Sequence, residues 1–366
     1  MKICIVMYDK ISDIQAGAGR HIFNLVNALK STKDDVIVIH RDEKFSDKKI
    51  GKNMRLISLP IAGKGALKVL EFQFKANRFI RENIPEDYAI NFSETSGFIY
   101  LFNKKHKTVT TYHHSHLEEL KIFFRNAVHA PFKLILQLPY FFSHLEQRSC
   151  LRKSDYIIVD CETIKKDLVK SGIVNKKIKV INCTMKNENK IIKKDDKNLR
   201  LLFVGHLEPR KGVDILLNAM LKLRNVPLDI VGQGYMKGYY EKFIKKNKLN
   251  NCAMHGFVSE KEKEDLYKKA SIFICPSRYE GFGLVILEAV NKGCAVLALD
   301  IPILRELFSE GVMLFKDADD LAEKIKYLVK NPSETEKLRK RGRKLLEKYS
   351  EERAAKEYVG FMKKIA

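Results

Sequence analysis

The chain has 366 residues, with 68 Lys and Arg against 45 Asp and Glu, a net charge of +23, and seven cysteines. That length is more than one hydrophobic core usually supports, so two lobes of about 150 to 180 residues are expected, and no 20 to 50 residue repeat marks a solenoid. Cys4, Cys150, Cys161, Cys183, Cys252, Cys275 and Cys294 are scattered, odd in number and free of C-x-x-C spacing; with no signal peptide in front of them, they exclude a disulfide scaffold and read as reduced, mostly buried thiols of a cytoplasmic protein.

In chain order, Met1 to Met7 reads as a first strand. Ala16-Gly17-Ala18-Gly19-Arg20-His21 reads as a Gly-rich turn before an amphipathic helix carrying Ile22, Leu25, Val26 and Leu29. Thr108 to Tyr112 is a further strand, and it ends in His113-His114-Ser115-His116. Three histidines in four residues are compatible with zinc ligation, with plain loop hydrogen bonding or with a place at a ligand. No further Cys or carboxylate shows ligand spacing beside them, so no metal is assigned.

Residues 121 to 153 hold Lys121, Arg125, Lys133, Arg148, Arg152 and Lys153 against the single acid Glu146, interleaved with Phe123, Phe124, Phe132, Tyr140, Phe141 and Phe142. The apolar run from Leu134 to Leu145 is too short to span a bilayer. It reads either as an amphipathic surface that dips into an anionic leaflet or as a packed helix with its cations in water. A late strand and helix follow over Lys153 to Leu168, then a strand over Lys177 to Asn182. The polar stretch Lys186 to Asn198 reads as a linker.

The second half repeats one pattern, an apolar strand, a polar turn and a helix start. It is seen in Leu201 to Val204 with Gly205-His206-Leu207-Glu208-Pro209-Arg210-Lys211-Gly212, in Leu228 to Val231 with Gly232-Gln233-Gly234, and at His255-Gly256. It recurs in Ser271 to Cys275 with Pro276-Ser277-Arg278-Tyr279-Glu280-Gly281-Phe282-Gly283, which opens a helix at Leu284 carrying Glu288. In open α/β sheets ligands bind beyond the carboxyl ends of the strands, where the free N–H groups of the next helix suit a diphosphate. Gly281 and Gly283 have no Cβ to block the approach of a ligand to the backbone. Glu280 at the mouth of the turn and Glu288 two helical turns on would accept hydroxyls from different parts of one ligand. An isolated pair of glutamates at this spacing arises often by chance; four ordered motifs do not.

These motifs, nearly continuous over residues 199 to 310, resemble the retaining glycosyltransferases of the GT-B fold, family 4. The resemblance implies an α/β protein of two Rossmann-like lobes whose parallel sheets face a central cleft. The first lobe would span 1–185 and receive the acceptor, the linker 186–198, and the donor lobe 199–349, with a helix over 350–366 returning to the first lobe. It implies that Glu280 contacts the donor sugar, that Glu288 binds the ribose, that Gly281, Phe282, Gly283 and Leu284 lie against diphosphate and sugar, and that Lys211 neutralises the diphosphate. Gly232 falls in the intervening Gly-rich turn. His206 stands where the family usually has an arginine, with Arg210 as the replacement cation. Gly17, Gly19 and Arg20 match the first glycine loop. His113 matches a histidine near the donor sugar, with His114 in place of an aspartate.

The implied activity is retaining transfer of a hexosyl unit from a nucleoside-diphosphate sugar to a lipid-linked or glycan acceptor. No carboxylate is clearly placed as an acceptor-side nucleophile, so front-face transfer is expected, without metal or cofactor, since no Asp-x-Asp motif suits a diphosphate-bound cation. The positive field fits anionic partners and a peripheral place on the inner membrane face through 121–153, with nucleic acid not expected. An epimerase or phosphorylase on the same fold, and a non-catalytic membrane- or nucleic-acid-binding protein, are the competing readings. Glu280→Gln and Lys211→Ala are expected to leave the fold intact.

Overall fold

A computed structural model describes residues 1–11, 17–30, 32–63, 67–126, 138–188, 194 and 199–365. It divides into two compact units, the first made of Met1–Leu117, Phe132–Thr184 and Tyr349–Ala366, the second of Glu118–Pro131 and Met185–Lys348. In place of an unbroken span of 1–185, this grouping puts Glu118–Pro131 and Met185 with the second unit, where Glu119 pairs with Arg210 at 3.2 Å.

The first unit is built on β1 (Lys2–Val6), β2 (Asp35–Asp42), β3 (Ser46–Ile50), β4 (Met54–Pro60), β5 (Ala89–Ser93), β6 (Thr108–Tyr112), β7 (Tyr156–Val159) and β8 (Ile178–Val180). The strands lie in the order β3-β4-β2-β1-β5-β6-β7-β8. All pairs are parallel except the β3/β4 hairpin at one edge, whose outer strand, Ser-Asp-Lys-Lys-Ile, is charged and discourages pairing with another chain. The helices are α1 (Gly17–Leu29), α2 (Leu67–Asn83), α3 (His116–Asn126), α4 (Leu138–Lys153) and α5 (Glu162–Lys170). Because strand side chains alternate, Ile3 and Ile5 face one core, with Ile22, Leu25 and Val26 of α1. Cys4 and Val6 face the other, with Phe72, Ala76 and Ile80 of α2.

The second unit carries β9 (Leu201–Val204), β10 (Leu228–Val231), β11 (Cys252–Gly256), β12 (Ile272–Cys275), β13 (Ala295–Leu299) and β14 (Met313–Phe315), all parallel, in the order β11-β10-β9-β12-β13-β14. Its helices are α6 (Val213–Met220), α7 (Lys237–Lys246), α8 (Glu260–Lys269), α9 (Leu284–Asn291), α10 (Pro302–Phe308), α11 (Ala318–Lys330) and α12 (Pro332–Lys348). Short apolar strands such as Ile-Phe-Ile-Cys are buried on both faces, as a helix-covered parallel sheet requires. Ser259 and Glu262 close a reciprocal capping box at the start of α8, and the Asp317 side chain caps α11.

The strand order 3-2-1-4-5-6 reverses direction between the first and fourth strands, β9 and β12. Their outgoing loops diverge there and leave a crevice at the carboxyl edge. The last helix, α13 (Glu351–Ile365), belongs to the first unit, where Tyr358, Met362 and Ile365 join the core under α1 and the Tyr358 hydroxyl accepts a hydrogen bond from Asn91 at 2.9 Å. Among the described residues no helix is long and apolar enough to cross a membrane.

Candidate active site

The loops leaving β9 and β12 are in backbone contact at the reversal point. Gly212, at φ +66°, starts α6, and a Cβ on it would lie 2.0 Å from the Pro276 carbonyl oxygen, so only glycine fits this contact. Arg278 ties the same two loops together three times. Its backbone N–H donates to the Arg210 carbonyl, and its guanidinium donates to the Pro209 carbonyl and to the Asp214 carboxylate, each at 2.8 Å. The loop after β10 presses on the first from the other side, since a Cβ on Gly232 would lie 1.8 Å from the Gly205 carbonyl oxygen. Gly232 is thereby accounted for by packing between loops.

Within this clamp Lys211 Nζ donates to Glu280 Oε1 at 2.6 Å, and the two residues are only 9% and 7% exposed. Burial drives the Glu280 carboxyl up. The Lys211 and Arg210 charges and hydrogen bonds from Lys211 and Ser277 outweigh it, so the carboxyl is held below its usual range. The result is a dry, ionised pair at the carboxyl edge of the sheet. The expectation that Lys211→Ala would be harmless to the fold is corrected here: removal of either charge strands the other in a low-dielectric site.

The remaining expected donor residues surround this pair unequally. Glu288 sits half-buried in α9, where its Oε2 accepts from the Tyr267 hydroxyl at 3.4 Å. The Phe282 ring turns into the core, edge-on to Phe308 at 5.5 Å, and Leu284 is buried, so this turn offers its backbone. Gly283 precedes α9 at φ +102°, and Gly281 is half-buried. His206 is exposed. Arg210 Nε lies 3.2 Å from Glu119 and 3.3 Å from Glu208, two carboxylates that a phosphate would have to compete with.

The first unit gathers a second set of polar groups at the carboxyl edge of its own sheet. His113, just after β6, is 4% exposed, and its Nδ1 lies 2.9 Å from Asp160 Oδ2 just after β7. Burial opposes a charge on His113, but the Asp160 carboxylate and Glu94 prevail and raise its affinity for a proton. His21 stacks edge-on against His113 at 5.1 Å, and burial pushes its imidazole down to about 4. His114 Nδ1 pairs with Glu94 at 3.0 Å. Burial and the charge of Glu94 push the Asp9 carboxyl up, and Asp9 leans on Gly19, whose Cβ would lie 2.6 Å from Asp9 Oδ2. Asp9, Glu94 and Asp160 are carboxylates of this unit that the sequence reading did not single out. They were missed because they are distant in sequence and only the strand order brings them together. The expected glycine turn ahead of the helix is corrected, since Gly17 and Gly19 lie in the first turn of α1. The side chains of Arg20 and His116 lie outside the described residues.

A doubly wound parallel sheet whose reversal point holds a buried Lys–Glu pair is an α/β architecture with a ligand crevice at that point. Two family models, "Glycosyltransferase Family 4" over residues 16–185 and "Glycosyl transferases group 1" over residues 184–345, match consecutive parts of the chain. The chain belongs to the GT-B glycosyltransferases of family 4, group 1. It is 30% identical over 218 residues to an uncharacterized glycosyltransferase of Methanocaldococcus jannaschii, spanning 58% of this chain and 59% of that one. It is 22% identical over 362 residues to the alpha-galactosylglucosyldiacylglycerol synthase of Streptococcus pneumoniae, covering 91% of this chain and 93% of that one. Among solved structures it is similar to sucrose-phosphate synthase from Thermosynechococcus elongatus, with a TM-score of 0.79, 19% identity and 99% of each chain covered.

Proposed function

We propose that the protein is a retaining hexosyltransferase that takes its donor from a nucleoside-diphosphate sugar. The observation that carries this reading is the buried Lys211–Glu280 pair at the reversal point of the second sheet, 2.6 Å apart and held by Arg278. As the glycosidic bond breaks, negative charge grows on the leaving diphosphate, and a fixed ammonium in a low-dielectric site stabilises it. Glu280, kept ionised by that lysine, can accept a sugar hydroxyl and turn the anomeric carbon toward the acceptor. Glu288, half-buried in α9 beside the Tyr267 hydroxyl, is suited to the ribose hydroxyls. Transfer occurs at the front face, with a leaving-phosphate oxygen taking the acceptor hydroxyl proton and no step requiring a metal.

The acceptor is lipid-linked. On α4, Phe141, Leu145, Arg148 and Arg152 recur at helical spacing and are all exposed, an apolar stripe continued by cations. The S. pneumoniae relative is named for a diacylglycerol glycolipid. Arg125 and Lys133, also expected in this surface, lie outside the described side chains. The test is to incubate the full chain with UDP- and GDP-hexoses and a lipid-linked acceptor and to read the product anomer by NMR. Donor and product with the same anomeric configuration support the reading. An inverted product, a free epimerised donor, or phosphorolysis in place of transfer contradicts it.

A further inference from the structure

Outside the donor grip, one cluster has no use in the proposed transfer. His21 in α1, Asp160 just after β7 and Cys183 beyond β8 come from three distant parts of the sequence. Each offers one nitrogen, oxygen or sulfur donor atom, and these atoms lie within 4.8 Å of one another. The residues are 2%, 0% and 2% exposed. His21 Nδ1 and Asp160 Oδ1 are buried without any hydrogen-bond partner. An orphaned buried polar atom costs on the order of 1 to 3 kcal/mol, so two at one point need an explanation.

The other side of the carboxylate is already held. His113 Nδ1 lies 2.9 Å from Asp160 Oδ2, and the Asn182 side chain donates to the Asp160 carbonyl at 2.7 Å. A carboxylate held by His113 through one oxygen, with the Cys183 thiol hydrogen-bonded to it and a bare imidazole nitrogen alongside, is the arrangement in which a neighbouring group orients a metal ligand. The mixed nitrogen, oxygen and sulfur set favours a borderline cation such as Zn²⁺. Mg²⁺ and Ca²⁺ take oxygen ligands in greater number.

We propose that His21, Asp160 and Cys183 bind one zinc-like divalent cation, with His113 holding the Asp160 carboxylate from behind. Binding converts the Cys183 thiol to a coordinated thiolate and releases one proton to solvent. The cation joins α1 to the chain leaving β7 and β8, and through Asp160 it fixes which His113 nitrogen carries the proton. Its role is to position His113, and the proposal stands whether or not the protein transfers a sugar.

The test uses the full chain, treated with a chelator, dialysed, and titrated anaerobically with Co²⁺ and then Zn²⁺. The expected result is one equivalent of Co²⁺, a near-ultraviolet sulfur-to-cobalt charge-transfer band, displacement by Zn²⁺, and a melting temperature raised by several degrees with Zn²⁺. Cys183→Ser should abolish the band, whereas Cys275→Ser, in the second unit, should keep it. Absence of stoichiometric binding by the unaltered chain overturns the proposal, and so does a band that survives Cys183→Ser. The first of these outcomes decides the matter even where the variant does not fold.

Discussion

The two units carry polar groups at the same place, the carboxyl edge of a parallel sheet, but assemble them in opposite ways. In the second unit the key pair comes from two loops flanking one reversal point. Gly212 and Arg278 lock those loops together, and the charges satisfy each other at 2.6 Å. In the first unit His21, Asp9, Glu94, His113, His114 and Asp160 arrive from α1 and from the ends of β1, β5, β6 and β7, and His21 Nδ1 and His113 Nε2 are buried without a hydrogen-bond partner. The closed pair is suited to receive a diphosphate and sugar in a fixed geometry. The open cluster is suited to be completed by something added.

Removing one member of the closed pair should have the largest effect. Lys211→Ala should cut transfer by about 10² to 10³ or more and destabilise the second unit by about 3 to 5 kcal/mol, because Glu280 is left buried and unpaired. Lys211→Met with Glu280→Gln should recover most of that stability and none of the activity. Urea unfolding beside steady-state rates checks both, and a double variant as unstable as Lys211→Ala would contradict the coupling.

The loop contacts come next. Gly212→Ala places a Cβ 2.0 Å from the Pro276 carbonyl at a positive φ, and should cost on the order of 1 to 3 kcal/mol with a fall in kcat. Gly19→Ala in the first unit meets only the end of the Asp9 side chain, which can swing aside, and a helical alanine gains up to about 1 kcal/mol over glycine. Thermal melts of the two variants should therefore move unequally, and equal losses would remove the contrast.

Acid should separate wild type from Glu280→Gln more modestly. The folded-state carboxyl of Glu280 sits below its unfolded value of 4.5, so its contribution to stability is full above that pH and is lost as pH falls through the lower folded value. Glu280→Gln should lack this part of the acid decline, which melting curves from pH 6 to pH 3 would show. The smallest effect is expected at α4, where Arg148→Ala and Arg152→Ala should each weaken binding to anionic vesicles roughly fivefold, about 1 kcal/mol per cation. Unchanged sedimentation with vesicles would reject α4 as the membrane surface.

The legibility of the sequence follows the same division. The donor-side motifs are local, strand then glycine turn then helix, so their order carried the resemblance from which Lys211, Glu280 and Glu288 were picked out. What spacing could not give was that Lys211 and Glu280 touch, since they are 69 residues apart and meet only because β9 and β12 are neighbours. The β3/β4 hairpin escaped notice because Ser46–Ile50 is polar and exposed and lacks the apolar run of a buried strand. The first-unit cluster was illegible for a stronger reason. His21, Asp160 and Cys183 share no motif, whereas the histidines at 113, 114 and 116 form a visible run, of which His113 reaches Asp160.

The central claim is that the Lys211–Glu280 pair is a grip for a nucleoside-diphosphate sugar. The most direct measurement is calorimetric titration of the full chain, and of Lys211→Met with Glu280→Gln, with UDP-, GDP-, ADP- and dTDP-hexoses. The account predicts that one donor series binds the unaltered chain and that the folded double variant loses at least tenfold in affinity for it. Equal affinity in both proteins, or no binding of any donor by the unaltered chain, would contradict it.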